Sequence, residues 1–335
     1  MQQKIKLLAD KLEDYRVKDY LNPKEENIDK WLSQFTPKNQ EIILDEMINI
    51  VDKLYITEQI VNDFLKGLVK NENLTGTNPT DFWGNVSLLN IQKNGNSQNK
   101  MVQKLVYYVK KELDINVSIN CLEKPRLIYV DDFLFSGSKL YQDISNEFTN
   151  DSHGSIDIIY IGYYTYGKFN ANKRLEENFP NITFKYLRII ELENRVHCIN
   201  KSCVLWPTSD LASNTNIQNF LGKRHTQKFR EPSSGISGYG CIEQDNLFTS
   251  ENNRQILEKE FTLAGLTIIN KAMEQRWDMS SWKPLGFSSF NNLGFGSMIL
   301  SYRNCPNNAP LCLWWGNWNS NSIWYPLFQR NTYSS

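Results

Sequence analysis

The sequence predicts an α/β fold, a parallel sheet preceded by helices and followed by an aromatic-rich extension. Three observations lead there. Residues 1–75 carry apolar side chains at helical spacing. From about residue 85, short apolar runs alternate with helical stripes. After Met279 the texture changes to tryptophan, asparagine and proline with almost no charge. Strand–helix–strand alternation implies parallel pairing through right-handed crossovers. Nearly continuous apolar strands imply a sheet covered on both faces.

The N-terminal stretch MQQKIKLLADKLEDY reads as a charged amphipathic helix. Ile28, Trp31, Leu32 and Phe35 form a stripe that Pro37 stops. Ile42, Ile43, Met47, Ile50, Val51 and Leu54 form a second, and residues 56–70 a third candidate helix. The cluster NENLTGTNPTDFW marks a boundary. Strands are then predicted at 85–92, 126–130, 156–164 and 183–190, with helices at 97–113, 138–148 and 170–178 between them. A long helix follows at about 250–276, with Ser250 as its N-cap. The tail holds five of the nine tryptophans, so it must pack on something, and it is expected to lie against the sheet or cover the site. The expected organisation is 1–75 helical region, 76–230 α/β core and 231–335 extension packed on the core.

Composition narrows the function classes. The chain has 335 residues, 40% of them hydrophobic, which is enough for a packed core and argues against disorder. Lys+Arg and Asp+Glu both number 37, so no global basic field exists to coat nucleic acid unaided. No apolar run approaches the ~20 residues of a membrane helix, and no secretory segment is visible. The six cysteines are dispersed, so reduced thiols, a cytoplasmic location and no membrane partner are expected.

Chemistry concentrates in IYVDDFLFSGSKL, residues 128–140. An apolar strand ends in Asp131-Asp132, a Ser-Gly-Ser loop follows, and a helix begins. A helix N-terminus favours a phosphate dianion. Ser136, Gly137 and Ser138 allow close backbone approach and add hydroxyl donors. Asp131 and Asp132 can then accept hydrogen bonds from sugar hydroxyls, or hold Mg²⁺ through them. The bland alternative is an acid pair that caps the next helix. Tyr129-Val130-Asp131-Asp132 also resembles the Y-x-D-D turn of reverse transcriptases. That likeness covers a dozen residues and lacks the upstream acid and intervening helix of a polymerase palm.

The longer string resembles the ribose-phosphate loop of type I phosphoribosyltransferases. Asp131 and Asp132 match the paired catalytic and metal-facing acids. Ser136, Gly137, Ser138 and Lys139 fall on the 5′-phosphate loop, with Phe135 and Lys139 standing where that family has hydroxyls. Lys93, Asn94, Gly95, Asn96 and Ser97 fall where it binds pyrophosphate. The order of NIQKNGNSQ, VDDFLFSGS, Pro306-Asn307-Asn308 and Pro326-Leu327-Phe328-x-Arg330 resembles the phosphoribosyltransferase-CE group of bacterial anti-phage systems, some of them beside retron reverse transcriptases. The resemblance implies an effector that binds phosphoribosyl pyrophosphate or a nucleotide with Mg²⁺. It would act as a transferase or glycosidic-bond-cleaving enzyme on nucleotides or nucleic-acid ends. The implied partner is a reverse transcriptase with its RNA/DNA product, or another defence protein. A non-catalytic sugar-phosphate sensor or assembly module is the alternative. The basic, glycine-bearing segment 221–240 is a candidate lid through Lys223, Arg224, Lys228 and Arg230. Arg303, Asn307, Asn308 and Arg330 are candidates for an opposite wall.

Overall fold

A computed structural model describes residues 1–93, 96–194, 203–222, 228–230, 247–289, 293–319 and 321–330. The elements in chain order are α1 (Gln2–Lys11), α2 (Glu25–Leu32), α3 (Gln40–Leu54), β1 (Tyr55–Ile56), α4 (Glu58–Leu68), α5 (Glu72–Thr75), α6 (Pro79–Asn85), β2 (Val86–Leu89), α7 (Ser97–Leu113), β3 (Ser118–Ile119), β4 (Arg126–Leu134), α8 (Ser138–Glu147), β5 (Gly154–Tyr164), α9 (Thr165–Asn178), β6 (Ile182–Leu187), β7 (Ile190–Leu192), α10 (Thr215–Leu221), α11 (Glu251–Glu274), β8 (Leu300–Ser301) and α12 (Leu311–Trp314). They divide into two compact units, 59–192 and 1–58 with 193–335. These cuts fall elsewhere than the boundaries at 75/76 and 230/231 drawn from sequence.

The sheet unit, 59–192, holds six strands. Their order is β3-β2-β4-β5-β6, with β7 pairing β5 beyond the end of β6, and every pairing is parallel. Leu127, Tyr129, Ile156 and Ile158 face a cluster completed by Leu140 and Ile144 of α8 and by Ala171 and Leu175 of α9. Met101, Val102, Leu105 and Val109 of α7 are buried as its helical stripe predicts, and α7 packs on β4. The predicted alternation of strands and helices over 85–190 is therefore present. The two-residue β3 and the three-residue β7 were too short to leave a periodic signal.

The helical unit, 1–58 with 193–335, joins the two ends of the chain. Ile5, Leu8 and Leu12 are buried with Ile43, Leu44, Met47 and Ile50. Lys4 pairs with Glu41 and Asp45 across α1 and α3. Ser250 caps α11, its Oγ accepting the Asn253 N–H. Within this unit the tail packs on the N-terminal helices and α11. Trp31 and Trp324 both donate their indole N–H to the Cys312 carbonyl, at 2.9 and 2.8 Å. Tyr15 lies 4.9 Å from Phe328. Gln34 exchanges two hydrogen bonds with the Tyr325 backbone, and β1 pairs with β8. Such an apolar, charge-poor segment supplies core to helices that lack enough of their own. Strand content there is slight, because turns carry most of it.

Candidate functional site

Strand β4 is longer than its apolar run. It continues through the acid pair to Leu134, pairing Asp131 with Tyr160 and Leu134 with Tyr163 of β5. On its other side β2 stops at Leu89, opposite Tyr129. The two aspartates therefore project past the end of β2, at the carboxyl edge of a parallel sheet. That edge, next to a shorter neighbour, is where open α/β sheets place ligands.

The two acids are not equivalent. Asp131 is 4% exposed. Its Oδ1 accepts the Asp132 N–H at 2.9 Å and its Oδ2 accepts the Gln92 amide at 3.3 Å. Asp132 is half-buried, and its Oδ1 accepts the Phe133 N–H at 2.8 Å. Beneath them, Tyr129 donates to the buried Asp143 at 3.0 Å. Burial, then the neighbouring Tyr160, Asp131 and Asp143, push the Tyr129 phenol well above its usual range. Burial followed by Asp131 does the same at Tyr160. Both shifts favour the neutral phenol, and Tyr129 donates its hydroxyl to Asp143.

The loop after β4 leads into α8 through Gly137, which adopts φ +77°. A Cβ on Gly137 would stand 2.6 Å from the Ala171 Cβ and 2.7 Å from the Gly167 carbonyl oxygen. One on Gly167 would stand 1.8 Å from the Phe135 carbonyl oxygen. Glycines on both sides thus let the loop lie directly on the first turns of α9. Ser136 Oγ accepts the Ser138 N–H, the first of α8, at 3.3 Å, and the N-cap residue, Gly137, has no side chain to cap the others. The first turn of α8 keeps donors for an anion. Lys139 is committed elsewhere: its ammonium lies 2.7 Å from Asp143. It neutralises a buried acid rather than replacing the missing phosphate-loop hydroxyl.

The loop after β2 reaches the same edge. Lys93 is exposed, and Asn94 and Gly95 lie outside the described residues. Asn96 occupies the N-cap position of α7 without a side-chain cap bond, and Ser97 donates to Gln92 Oε1 at 3.2 Å. Buried Gln98 accepts the N–H groups of Ile91 and Gln92 at 2.7 and 2.8 Å. Gln92 therefore ties this loop to Asp131. Sequence reasoning missed Gln92, Gln98, Asp143 and Gly167. The i,i+4 spacing of Lys139 and Asp143 was the available signal; Gly167 falls between the strand predicted at 156–164 and the helix predicted at 170–178, because α9 begins earlier, at Thr165.

The proposed lid and wall residues belong to the helical unit. Lys223 and Arg224 lie outside the described residues, and Lys228 is exposed. Arg230 is no lid residue. It is fully buried, with Nη2 2.6 Å from Glu258, whose other oxygen lies 2.9 Å from Arg254 Nε. Glu251 pairs with the same guanidinium. Buried Asn308 donates to the Phe287 carbonyl at 2.8 Å, and Asn307 accepts the Phe287 N–H at 2.8 Å, so this pair forms a structural turn. The Arg330 guanidinium lies 4.9 Å over the Trp314 ring. Arg303 is half-buried, its N–H directed to Ser301 Oγ at 3.3 Å.

Among the described residues, no group of three or more His, Cys, Asp or Glu side chains is arranged to hold a metal. Two carboxylates suit Mg²⁺ only when a ligand supplies further oxygens. No described helix is long and apolar enough to cross a membrane. No curated protein matches the chain. The family model PRTase-CE matches residues 28–330, from within α2 through the whole sheet unit to the aromatic tail. With a parallel sheet of this topology and a phosphoribosyltransferase-type domain in that match, the chain belongs to the PRTase-CE family.

Proposed function

We propose that the chain binds a ribose 5-phosphate moiety, as phosphoribosyl pyrophosphate or a nucleotide with Mg²⁺, at the carboxyl edge of β4. The observation that carries this reading is the continuous path from Asp132 through Ser136 and Gly137 to an N-terminus of α8 whose N-cap residue is glycine. Phosphate sits on the first turn of α8. Asp132, the more exposed acid, takes the ribose hydroxyls or the Mg²⁺ they share. Asp131, held by Gln92 and the Asp132 N–H, orients its neighbour and lends negative charge near C1 of the sugar. That charge favours the cationic sugar that forms as a leaving group departs. In the cell, the family resemblance supports an effector role in an anti-phage system, with a reverse transcriptase and its RNA/DNA product, or another defence protein, as partner.

Calorimetry tests the reading. Titration of phosphoribosyl pyrophosphate in the presence of Mg²⁺ should release or absorb heat, and the signal should vanish without Mg²⁺ or in Asp131→Asn/Asp132→Asn. Equal binding by the double variant rejects the assignment. In cells, Asp132→Ala should abolish protection while leaving complex formation intact; surviving protection would make the protein an adaptor.

A further inference from the structure

We propose that the carboxyl edge of the sheet unit is a stacking platform for single-stranded nucleic acid, which makes a strand end the acceptor class for the acid loop. The proposal rests on the sugar-phosphate reading above. Its own observation is a set of aromatic rings interleaved with cations where β5 and β6 run out. Tyr166 and Phe169, in the first turns of α9, are 52% and 58% exposed. Their rings stack at 6.4 Å with an interplanar angle of 15°. Large aromatic side chains normally cover their faces in a core. Here Tyr166, which also meets the Tyr164 ring at 6.2 Å, and Phe169 stay more than half exposed on a helix whose inner side is buried by Ala171 and Leu175.

Behind it a second, edge-on pair, Tyr163 and Tyr186, with centroids 6.2 Å apart, is half-buried against the sheet core and anchors two cations at the same edge. Lys168 lies 4.7 Å over the Tyr186 ring, and Arg188 lies 5.0 Å over Tyr163 while pairing with Glu191. Aromatic faces set among cations are what unpaired bases and their phosphates require, and recognition of this kind tolerates any sequence. Position links the platform to the chemistry. Gly167, between Tyr166 and Lys168, is the residue whose backbone lies against the Phe135 carbonyl. The stack therefore begins one residue from the contact between α9 and the sugar-phosphate loop. A base held there brings its own strand, and that strand's end, alongside Asp131 and Asp132. A duplex has its bases already stacked on each other and gains little from such a surface. A small free base would not need a platform outside the acid loop.

Fluorescence anisotropy on the full chain tests this, using labelled oligothymidylate, oligouridylate and a DNA duplex as probes. Single strands should bind more tightly than the duplex, and the preferred sugar distinguishes DNA from RNA. Tyr166→Ala/Phe169→Ala should weaken single-strand binding roughly 5- to 150-fold for each base that loses its stack. Tyr166→Trp/Phe169→Trp should retain it. Both positions are exposed, so circular dichroism should be unchanged. No single-strand binding by the wild type, or equal binding by the alanine variant, overturns the proposal. Concentration-dependent dimerisation abolished by the alanine variant, without strand binding, overturns it in favour of a self-association face. Calorimetry with Mg²⁺ and phosphoribosyl pyrophosphate separates the two readings. Strand binding without sugar-phosphate binding removes the reading and leaves the platform; the reverse removes the platform alone.

Discussion

Gly167→Ala sets two effects of opposite sign against each other at the site. Alanine outranks glycine within a helix by about 1 kcal/mol, so propensity alone predicts a gain. Packing predicts the reverse. The added Cβ would lie 1.8 Å from the Phe135 carbonyl oxygen, and contacts under 3.0 Å are essentially never seen, so the two backbones must part by 1.2 Å. The obstacle is main chain, with Leu134 Cδ2 3.3 Å away behind it, so no side-chain rotation relieves it. Overpacking of this kind costs about 1–3 kcal/mol. Its upper end should win, leaving a net loss of about 2 kcal/mol and a melting point lower by roughly 4–8 °C. Gly67→Ala in α4 is the internal control, since nothing lies within 4 Å of its added Cβ. It should gain about 0.5–1 kcal/mol. Chemical denaturation of both variants, with calorimetry for phosphoribosyl pyrophosphate, reads the result. Binding should weaken in Gly167→Ala because the displaced segment carries Ser136 and Gly137. Stabilisation of Gly167→Ala to the same degree as Gly67→Ala would refute the loop–helix contact on which the site geometry depends.

Arg230→Met should lose about 3–5 kcal/mol in denaturation, because it breaks a buried ion pair and leaves Glu251 and Glu258 a shared cation short. Wild-type stability combined with lost ligand binding would return Arg230 to the lid. Alkaline pH should unfold the protein through its buried tyrosines. Tyr15, Tyr55, Tyr129, Tyr160 and Tyr186 all have their phenol pKa raised, chiefly by burial. Their stabilisation is whole below the unfolded value of about 10 and is lost as pH rises above it, by about 1.4 kcal/mol per pH unit for each group. Tyrosinate absorbance followed with circular dichroism should show ionisation and unfolding together. Ionisation of these five in a folded chain would contradict their burial.

The strand–helix alternation was legible because each element was long enough to show its period: α7 spans 17 residues and β5 spans 11. The acid loop was legible because its chemistry is local, seven residues from Asp131 to Gly137. What stayed hidden depends on contacts between distant positions. Arg230 read as a basic loop residue, since nothing near it in sequence shows that Glu258, 28 residues on, will bury it. Gln92 looked like one more polar loop residue until the fold brought Asp131 beside it. The tail's tryptophans demanded a partner, yet composition could not choose between sheet and helices. Cys312, whose carbonyl receives two indoles, carries no sequence signal for that role.

The charges at the site give a reason why the proposed ligand would need a metal, one that does not depend on family resemblance. Asp131 and Asp143 both act electrostatically on the Tyr129 phenol, so these two carboxylates share one neighbourhood. Asp132 adjoins the first, and Lys139 is the cation paired with the second. Three carboxylates against one ammonium leave a formal charge of −2, beside a helix end that contributes only about half a positive charge. A sugar phosphate, still more one carrying pyrophosphate, meets repulsion there unless a cation arrives with it. A dication bound to the ligand's oxygens and to Asp132 cancels that excess. The same excess argues against Lys139 moving to a phosphate in the proposed site. Withdrawing it would leave Asp143, 1% exposed, without its counter-charge, and a buried unpaired carboxylate costs more than a phosphate contact returns. On the proposed reading, phosphate affinity would therefore fall to the backbone of the α8 first turn and the Ser136 and Ser138 hydroxyls, and a metal would supply the charge that the loop sequence lacks.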